Sequence, residues 1–236
     1  MGTYNIEIEK NSQRINSLED WCKLGGPKKE NQWKDGRSAK ELAKYILDGN
    51  GYLPKEIEDI LLNIGCKSSK VFKCEPEKIT SLVGRGGGRN HDLYIEQSGE
   101  IVIGVEAKAD ETLGKLISEE LDDKKITDNK INRINSLYES IYGCYPLDGG
   151  DIRYQLLTAM VGILLEAQRL HISKALLLII TFKKDGCYKE ENINSNMKDI
   201  NTFINSLERS RDGEKYSFSS YPHVDLYIEN IEIDVK

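Results

Sequence analysis

Proline is scarce, with five in 236 residues, and the few present never gather into a linker that would divide the chain. Long apolar runs are absent too. The longest, Ala175 to Ile180, is strand-sized, whereas a bilayer span needs about 20 residues. The N-terminus has neither the basic start nor the apolar stretch of a secretory signal. Gly2 meets the first requirement for myristoylation, but Ile6 stands where Ser or Thr is needed. The five cysteines (Cys22, Cys66, Cys74, Cys144, Cys187) form no C-x-x-C pair, which argues against a zinc site or a disulfide framework and for reduced, packed thiols. An excess of basic residues is also missing: 33 Lys and Arg against 39 Asp and Glu give a net charge of −6. That counts against a protein that merely coats nucleic acid. It leaves room for an enzyme whose clustered carboxylates bind a divalent cation. Repeats and low-complexity tracts are likewise absent. The expectation is one cytoplasmic globular domain without membrane attachment, over residues 1–236.

What is present reads as alternating helices and strands. Tyr4, Ile6 and Ile8 alternate as in a short strand, and Ser17 with Asp20 resembles a helix cap closed by Gly25-Gly26-Pro27. A helix is expected from Ser38 to Leu47, and another from Pro54 to a stop at Gly65. Val71 to Leu82 is ambiguous, with strand favoured for its first part. After Gly84-Arg85-Gly86-Gly87-Gly88-Arg89 come two strands, His91 to Gln97 and Ile101 to Ala107, joined by Ser98-Gly99-Glu100. Helical patterns follow at Glu111 to Leu121, Ile131 to Tyr142 and, most strongly, Ile152 to Arg169. Ala175 to Phe182 reads as a strand buried on both faces. A helix near Ser195 to Leu207 and an alternating Val224 to Val235 close the chain. The fold class is α/β, a mixed central sheet flanked by helices in the order αβββαβ.

One constellation carries chemistry. Along the strand from Ile101, alternation sends Ile101, Ile103, Val105 and Ala107 to one face and Val102, Gly104, Glu106 and Lys108 to the other. An antiparallel partner brings its own beginning, His91-Asp92, to the end that carries Glu106 and Lys108. Asp92 and Glu106 should therefore be neighbours, and two adjacent carboxylates repel unless a proton or cation lies between them. Mg²⁺ is the natural partner for such oxygens, with Mn²⁺ as a substitute. Lys108 beside that cation could steer a water and offset charge on a phosphate under attack. Gly104 would leave room for a substrate backbone.

Asp92 followed by Glu106-Ala107-Lys108 on adjoining strands resembles the PD-(D/E)XK superfamily, the restriction-endonuclease-like nucleases. The helix opening Arg153-Tyr154-Gln155 and the apolar strand after it resemble the second half of that core. The resemblance covers about residues 54–182, with an N-terminal elaboration over 1–53 and a C-terminal helix and strand over 190–236. It implies a Mg²⁺-dependent endonuclease acting on nucleic acid, DNA before RNA, of the kind found in restriction or antiphage systems. Asp92, Glu106 and the Ala107 carbonyl would be metal ligands, and Lys108 would position the attacking water. Gln155 would stand close to the site. A Glu from the first helix, among Glu41, Glu56 and Glu58, would complete it, with Glu58 nearest before the strands. Homodimerisation, or a protein partner in a defence assembly, would fit that setting. His91 replaces the proline that often precedes the Asp.

Plainer readings stand beside these. Glu106 and Lys108 could form an ion pair on a solvated strand face, and Asp92 could simply open a strand. Arg85 and Arg89 in the glycine loop, with Arg153, are candidate phosphate contacts, though a surface loop fits equally. Glu111 could support the site or a second metal, or with Asp110 start a helix. Alternation turns His91 away from Asp92, which favours a structural or solvent-facing histidine over a general base. Lys67, Lys70 and Lys73, or Lys183-Lys184, could guide a phosphate backbone or be ordinary solvated charge. The same fold could also persist as a binding scaffold with little or no catalysis.

Overall fold

A computed structural model describes residues 4–27, 32–67, 71–146, 151–184 and 186–235. Lys70, in the suggested lysine stripe, lies outside them. A mixed sheet runs through the molecule. Its strands are β1 (Ile6–Lys10), β2 (Gln13–Arg14), β3 (Phe72–Thr80), β4 (Arg89–Gln97), β5 (Ile101–Lys108), β6 (Lys174–Lys183), β7 (Arg211–Asp212), β8 (Lys215–Tyr216) and β9 (Asp225–Asp234). Their spatial order is β2-β1-β3-β4-β5-β6-β9-β8-β7. β3, β4 and β5 form an antiparallel meander, and β5, β6 and β9 run parallel.

The helices are α1 (Leu18–Gly25), α2 (Ser38–Leu47), α3 (Lys55–Asn63), α4 (Ile117–Leu121), α5 (Asp128–Tyr142), α6 (Tyr154–Leu170) and α7 (Glu190–Ser206). They cover both faces of the sheet. Odd positions of β5 and even positions of β6 pack with Leu42, Ile46, Ile57 and Leu61 of α2 and α3. The alternate positions, Val102 on β5 and Leu177 and Ile179 on β6, pack with Leu156, Met160 and Ile163 of α6 and with Ile200 and Phe203 of α7. β6 was expected to be buried on both sides, and it is. β5 is too, with every position buried, so the solvated-face reading of Glu106 and Lys108 is wrong. A helix sits where water was anticipated. No described helix is long and apolar enough to cross a membrane.

Sequence signals fix several boundaries. α2 spans the expected residues, and Pro54 immediately precedes α3. Ser17 caps α1 by accepting from the Asp20 N–H at 3.1 Å. The expected helix from Glu111 shrinks to α4, beginning only at Ile117. Gly114 adopts a φ of +76°, which breaks a helix, and the segment before it is tied instead to α7. Asn196 accepts from the Leu113 N–H at 3.1 Å and donates to the Glu111 carbonyl at 2.8 Å. Asp110, expected to start the next helix, instead accepts from the Lys189 N–H at the head of α7, at 2.8 Å.

Candidate active site

β3 and β4 change face at one point, and this shapes the site. Phe72 and Cys74 face α2 and α3, yet Lys78 reaches toward Glu166 of α6 and Thr80 lies against Gly162 of α6. The turnover falls at Glu77, whose φ of +50° is uncommon for a residue bearing a side chain. Across the ladder, between the Pro76–Leu93 and Lys78–His91 pairs, stands Asp92.

The β4–β5 ladder stops at Leu93–Val105, one step short of Asp92 and Glu106. Beyond it Asp92 replaces the lost strand partner with its side chain, Oδ2 accepting from the Ala107 N–H at 2.7 Å. The other Asp92 oxygen accepts from no described residue. The Ala107 side chain itself belongs to the core on the α2–α3 side.

Glu106 is fully buried and held from two sides. Arg89 donates to its Oε1 in an ion pair, and Gln155 at the start of α6 donates to Oε2 at 2.9 Å. Gln155 thus stands where the sequence put it. Arg89 serves an internal carboxylate rather than presenting itself to a ligand.

His91 is buried and structural, one of its two expected readings, but its side of the sheet is a correction. It faces the same side as Glu106, its Nδ1 4.0 Å from Glu106 Oε1, because the strand has turned over. Its ring fills the notch at Gly104, where a Cβ would meet Ile163 at 2.5 Å and His91 Nδ1 at 2.8 Å. The space reserved for a substrate backbone is therefore occupied. Burial, reinforced by the Arg89 charge, pushes the imidazole down to about 3, so it is neutral. Nε2 shares a hydrogen bond with Thr80 Oγ1 at 3.0 Å.

Lys108, only 6% exposed, lines an open cavity of about 730 Å³ with Glu77, Asn90, Asp92, Ser38, Arg37 and Glu111. It makes no hydrogen bond or ion pair to a described residue, so its ammonium is available to the cavity. Glu111 accepts from Ser38 Oγ and lies 3.9 Å from Arg37. It reaches the cavity wall, as its position after β5 suggested.

The candidate Glu residues of the early helices go elsewhere. Glu58 accepts from the Tyr4 N–H at 2.8 Å and lines a separate cavity with Tyr45 and Tyr52. Glu56 accepts from the Tyr45 hydroxyl at 2.8 Å. Glu41 accepts from the Gly36 N–H at 2.7 Å and from Lys44 at 3.2 Å. None joins Asp92. Arg153 is equally committed, donating to Asp199 at 2.8 Å and to the Gly114 carbonyl at 2.6 Å. Of the three arginines suggested as phosphate contacts, Arg85 is the one that remains exposed and without an ion pair to a described residue.

The acidic residue missed in the sequence is Glu77. Pro76 inside a strand signals an irregularity, and that was the available clue. Burial raises the proton affinity of Glu77, as do the charges of Asp92 and Glu106, while the Asn90 amide and the Lys10 ammonium oppose them. Asp92 is pushed up to about 6, first by burial and then by Glu106, against the pull of Lys108, the Ala107 N–H and Arg89. Three carboxylates (Glu77, Asp92, Glu106) thus meet Arg89 and Lys108, and because Lys10, the further cation near Glu77, is ion-paired to Glu75, one negative charge stays in excess. A proton or a cation relieves that excess. No three His, Cys, Asp or Glu side chains among the described residues are gathered closely enough to hold a metal ion as they stand, and both Glu106 oxygens are engaged. The Asp92 oxygen that accepts from no described residue is the one a hard cation could take.

The chain belongs to the family described as a domain of unknown function, DUF6946, whose model matches residues 14–235. That match runs from β2 to the end of β9, through both helical layers. No curated protein and no solved structure is significantly similar to the chain.

Proposed function

We propose that this protein is a metal-dependent nuclease that hydrolyses phosphodiester bonds in nucleic acid, with DNA the first substrate to test. The observation that carries the reading is the excess of carboxylate around Asp92 beside an uncommitted lysine on an open cavity. The antiparallel meander, crossover helix and parallel fourth strand around it suit a restriction-endonuclease-like core. Asp92 and Glu77 would hold a Mg²⁺ or Mn²⁺ ion, and Glu106 would join them once Arg89 releases it. The ion would supply positive charge against the phosphate oxygens and acidify a bound water. Lys108 would orient the attacking water in the cavity and offset the charge that develops at phosphorus. Gln155 would keep Glu106 in place through its amide, and neutral His91 would fill the space behind it.

The test is incubation of purified protein with plasmid and single-stranded DNA in Mg²⁺ or Mn²⁺. Cleavage by the wild type that is lost in Asp92→Asn and Lys108→Ala supports the reading, and cleavage that survives in both ends it. Glu106→Gln is a gentler third variant than alanine, because position 106 is buried. One observation favours a second reading, a nucleic-acid- or protein-binding scaffold with little catalysis: Glu106 is saturated by Arg89 and Gln155. Calorimetric titration with Mn²⁺ separates the two, since a scaffold would show no binding that depends on Asp92.

A further inference from the structure

We propose that the glycine-rich tip of the β3–β4 hairpin and the Arg133 guanidinium beneath it bind the phosphate backbone of a nucleic acid and lead it into the cavity of Lys108. The identity of the polyanion rests on the nuclease reading; the anion chemistry rests on the tip itself.

Gly84, Arg85, Gly86, Gly87 and Gly88 are all exposed. No main-chain N–H from Val83 to Gly87 donates to another described residue. Successive free N–H groups in a glycine turn make a concave donor surface for anions. Gly86 has a φ of +127°, and a Cβ there would meet Arg133 Nη2 at 2.7 Å. Only glycine therefore lets the guanidinium of α5 lie against the loop. Arg133 Nη1 donates to the Gly87 carbonyl at 2.7 Å, while Nε and Nη2, shielded from solvent, have no hydrogen-bond partner. Tyr154 is the neighbouring acceptor, its hydroxyl close enough to Arg133 for a side-chain hydrogen bond to ease the rise that burial gives its pKa. A sheltered cation whose donors are met by no carboxylate and at most by a phenol is costly, and a phosphate oxygen is the acceptor that suits it.

The other guanidiniums at this end of the sheet are spent, Arg89 on Glu106 and Arg153 on Asp199. Outside the cavity of Lys108 and Arg37, Arg85 and Arg133 are the guanidiniums at the hairpin tip not ion-paired to a described carboxylate. Ile79 and Val83 flank the tip at 66% and 38% exposure, apolar surface fit for sugar and base edges. The route inward is short. Arg89 closes the hairpin against Thr80, and the next residues of β4, Asn90 and Asp92, already line the cavity.

The test is fluorescence anisotropy of labelled duplex and single-stranded DNA in EDTA, so that neither metal nor cleavage enters. Arg85→Gln and Arg133→Gln should each weaken binding about tenfold and lower the salt slope by about one. Lys198→Gln, an equal loss of charge on α7, should change neither. Arg85 is exposed and makes no hydrogen bond or ion pair to a described residue, so its variant reads binding even if Arg133→Gln is destabilised. Absence of wild-type binding in EDTA, or wild-type affinity in both arginine variants, overturns the proposal. So does displacement by inorganic phosphate as effective as by unlabelled DNA, which would assign the tip to a small anion. A protein that binds in this way yet never cuts DNA would sink the nuclease reading and leave this one standing.

Discussion

Replacing Asp92 by Asn should make the protein more stable at neutral pH, and the gain should vanish in acid. Asparagine keeps a carbonyl oxygen to accept from the Ala107 N–H but removes the charge that Glu106 and Glu77 oppose. The wild-type carboxyl rises from 3.8 to about 6 on folding, and two such units correspond to at most about 3 kcal/mol. The sign follows from proton linkage. A raised folded value means the native state binds the proton more tightly, so the associated stability is fully present below about pH 4. It is lost as pH climbs through about 6. The cavity admits water to one Asp92 oxygen, so a gain of about 1–3 kcal/mol is expected at about pH 8, or roughly 3–8 °C in Tm. Urea melts and calorimetry at about pH 4 and about pH 8, on wild type and Asp92→Asn, read it directly. Mn²⁺ should raise the Tm of the wild type and leave the variant unmoved, because binding to the native state alone stabilises it. An Asn variant less stable than wild type at pH 8, or a difference independent of pH, would refute the carboxylate-excess argument.

The other expectations concern the packing behind the site. Arg89→Met should cost about 3–5 kcal/mol in urea melts, because it leaves Glu106 buried without its cation; adding Glu106→Gln should recover most of that loss. Gly104→Ala should destabilise by about 1–3 kcal/mol, since the new methyl collides with Ile163 and His91 in a closed interior. Asn196→Ala frees the segment after β5 from α7 and should raise its amide exchange near Leu113 before the global melt. Thiol titration should find Cys22, Cys144 and Cys187 reactive in the native protein, with Cys66 and Cys74 joining only in denaturant, as their burial requires.

The helices and the hairpin were legible because local signals set them. Ser38–Leu47, the two strands joined at Gly99 and the apolar Ala175–Phe182 follow from periodicity and turn chemistry. The same signals misjudged what lies over the strand surfaces. Alternation assigns a side to each residue of β5, but only the placement of α6 decides that the side of Glu106 is covered. His91 went to the wrong face because alternation assumes an unbroken strand, and the positive φ at Glu77 reverses it. Glu77 and Arg133 escaped notice for a shared reason. Each gains its meaning from a partner distant in sequence, Asp92 for one and the glycine tip for the other. Asp92, Lys108 and Gln155 were found because a hairpin register and a helix start fix them locally. Glu58 was drawn toward the site only by sequence proximity, and the Tyr4 main chain holds it elsewhere.

The parallel pairing of β9 along the whole of β6 bears on how this protein can be shortened. A fragment cut after residue 182 would keep every residue proposed to act on phosphate and still fold poorly. The flank of β6 now paired with β9 would become an open row of main-chain donors and acceptors on a strand of Leu, Ile and Phe, an edge that invites other chains to add to it. The loss of α7 would also unfasten the segment through which β5 leaves the sheet. Trimming at the N-terminal end would be costly in the same way, because β1 covers the flank of β3 and this segment sends Tyr4, Ile6 and Ile8 into the core.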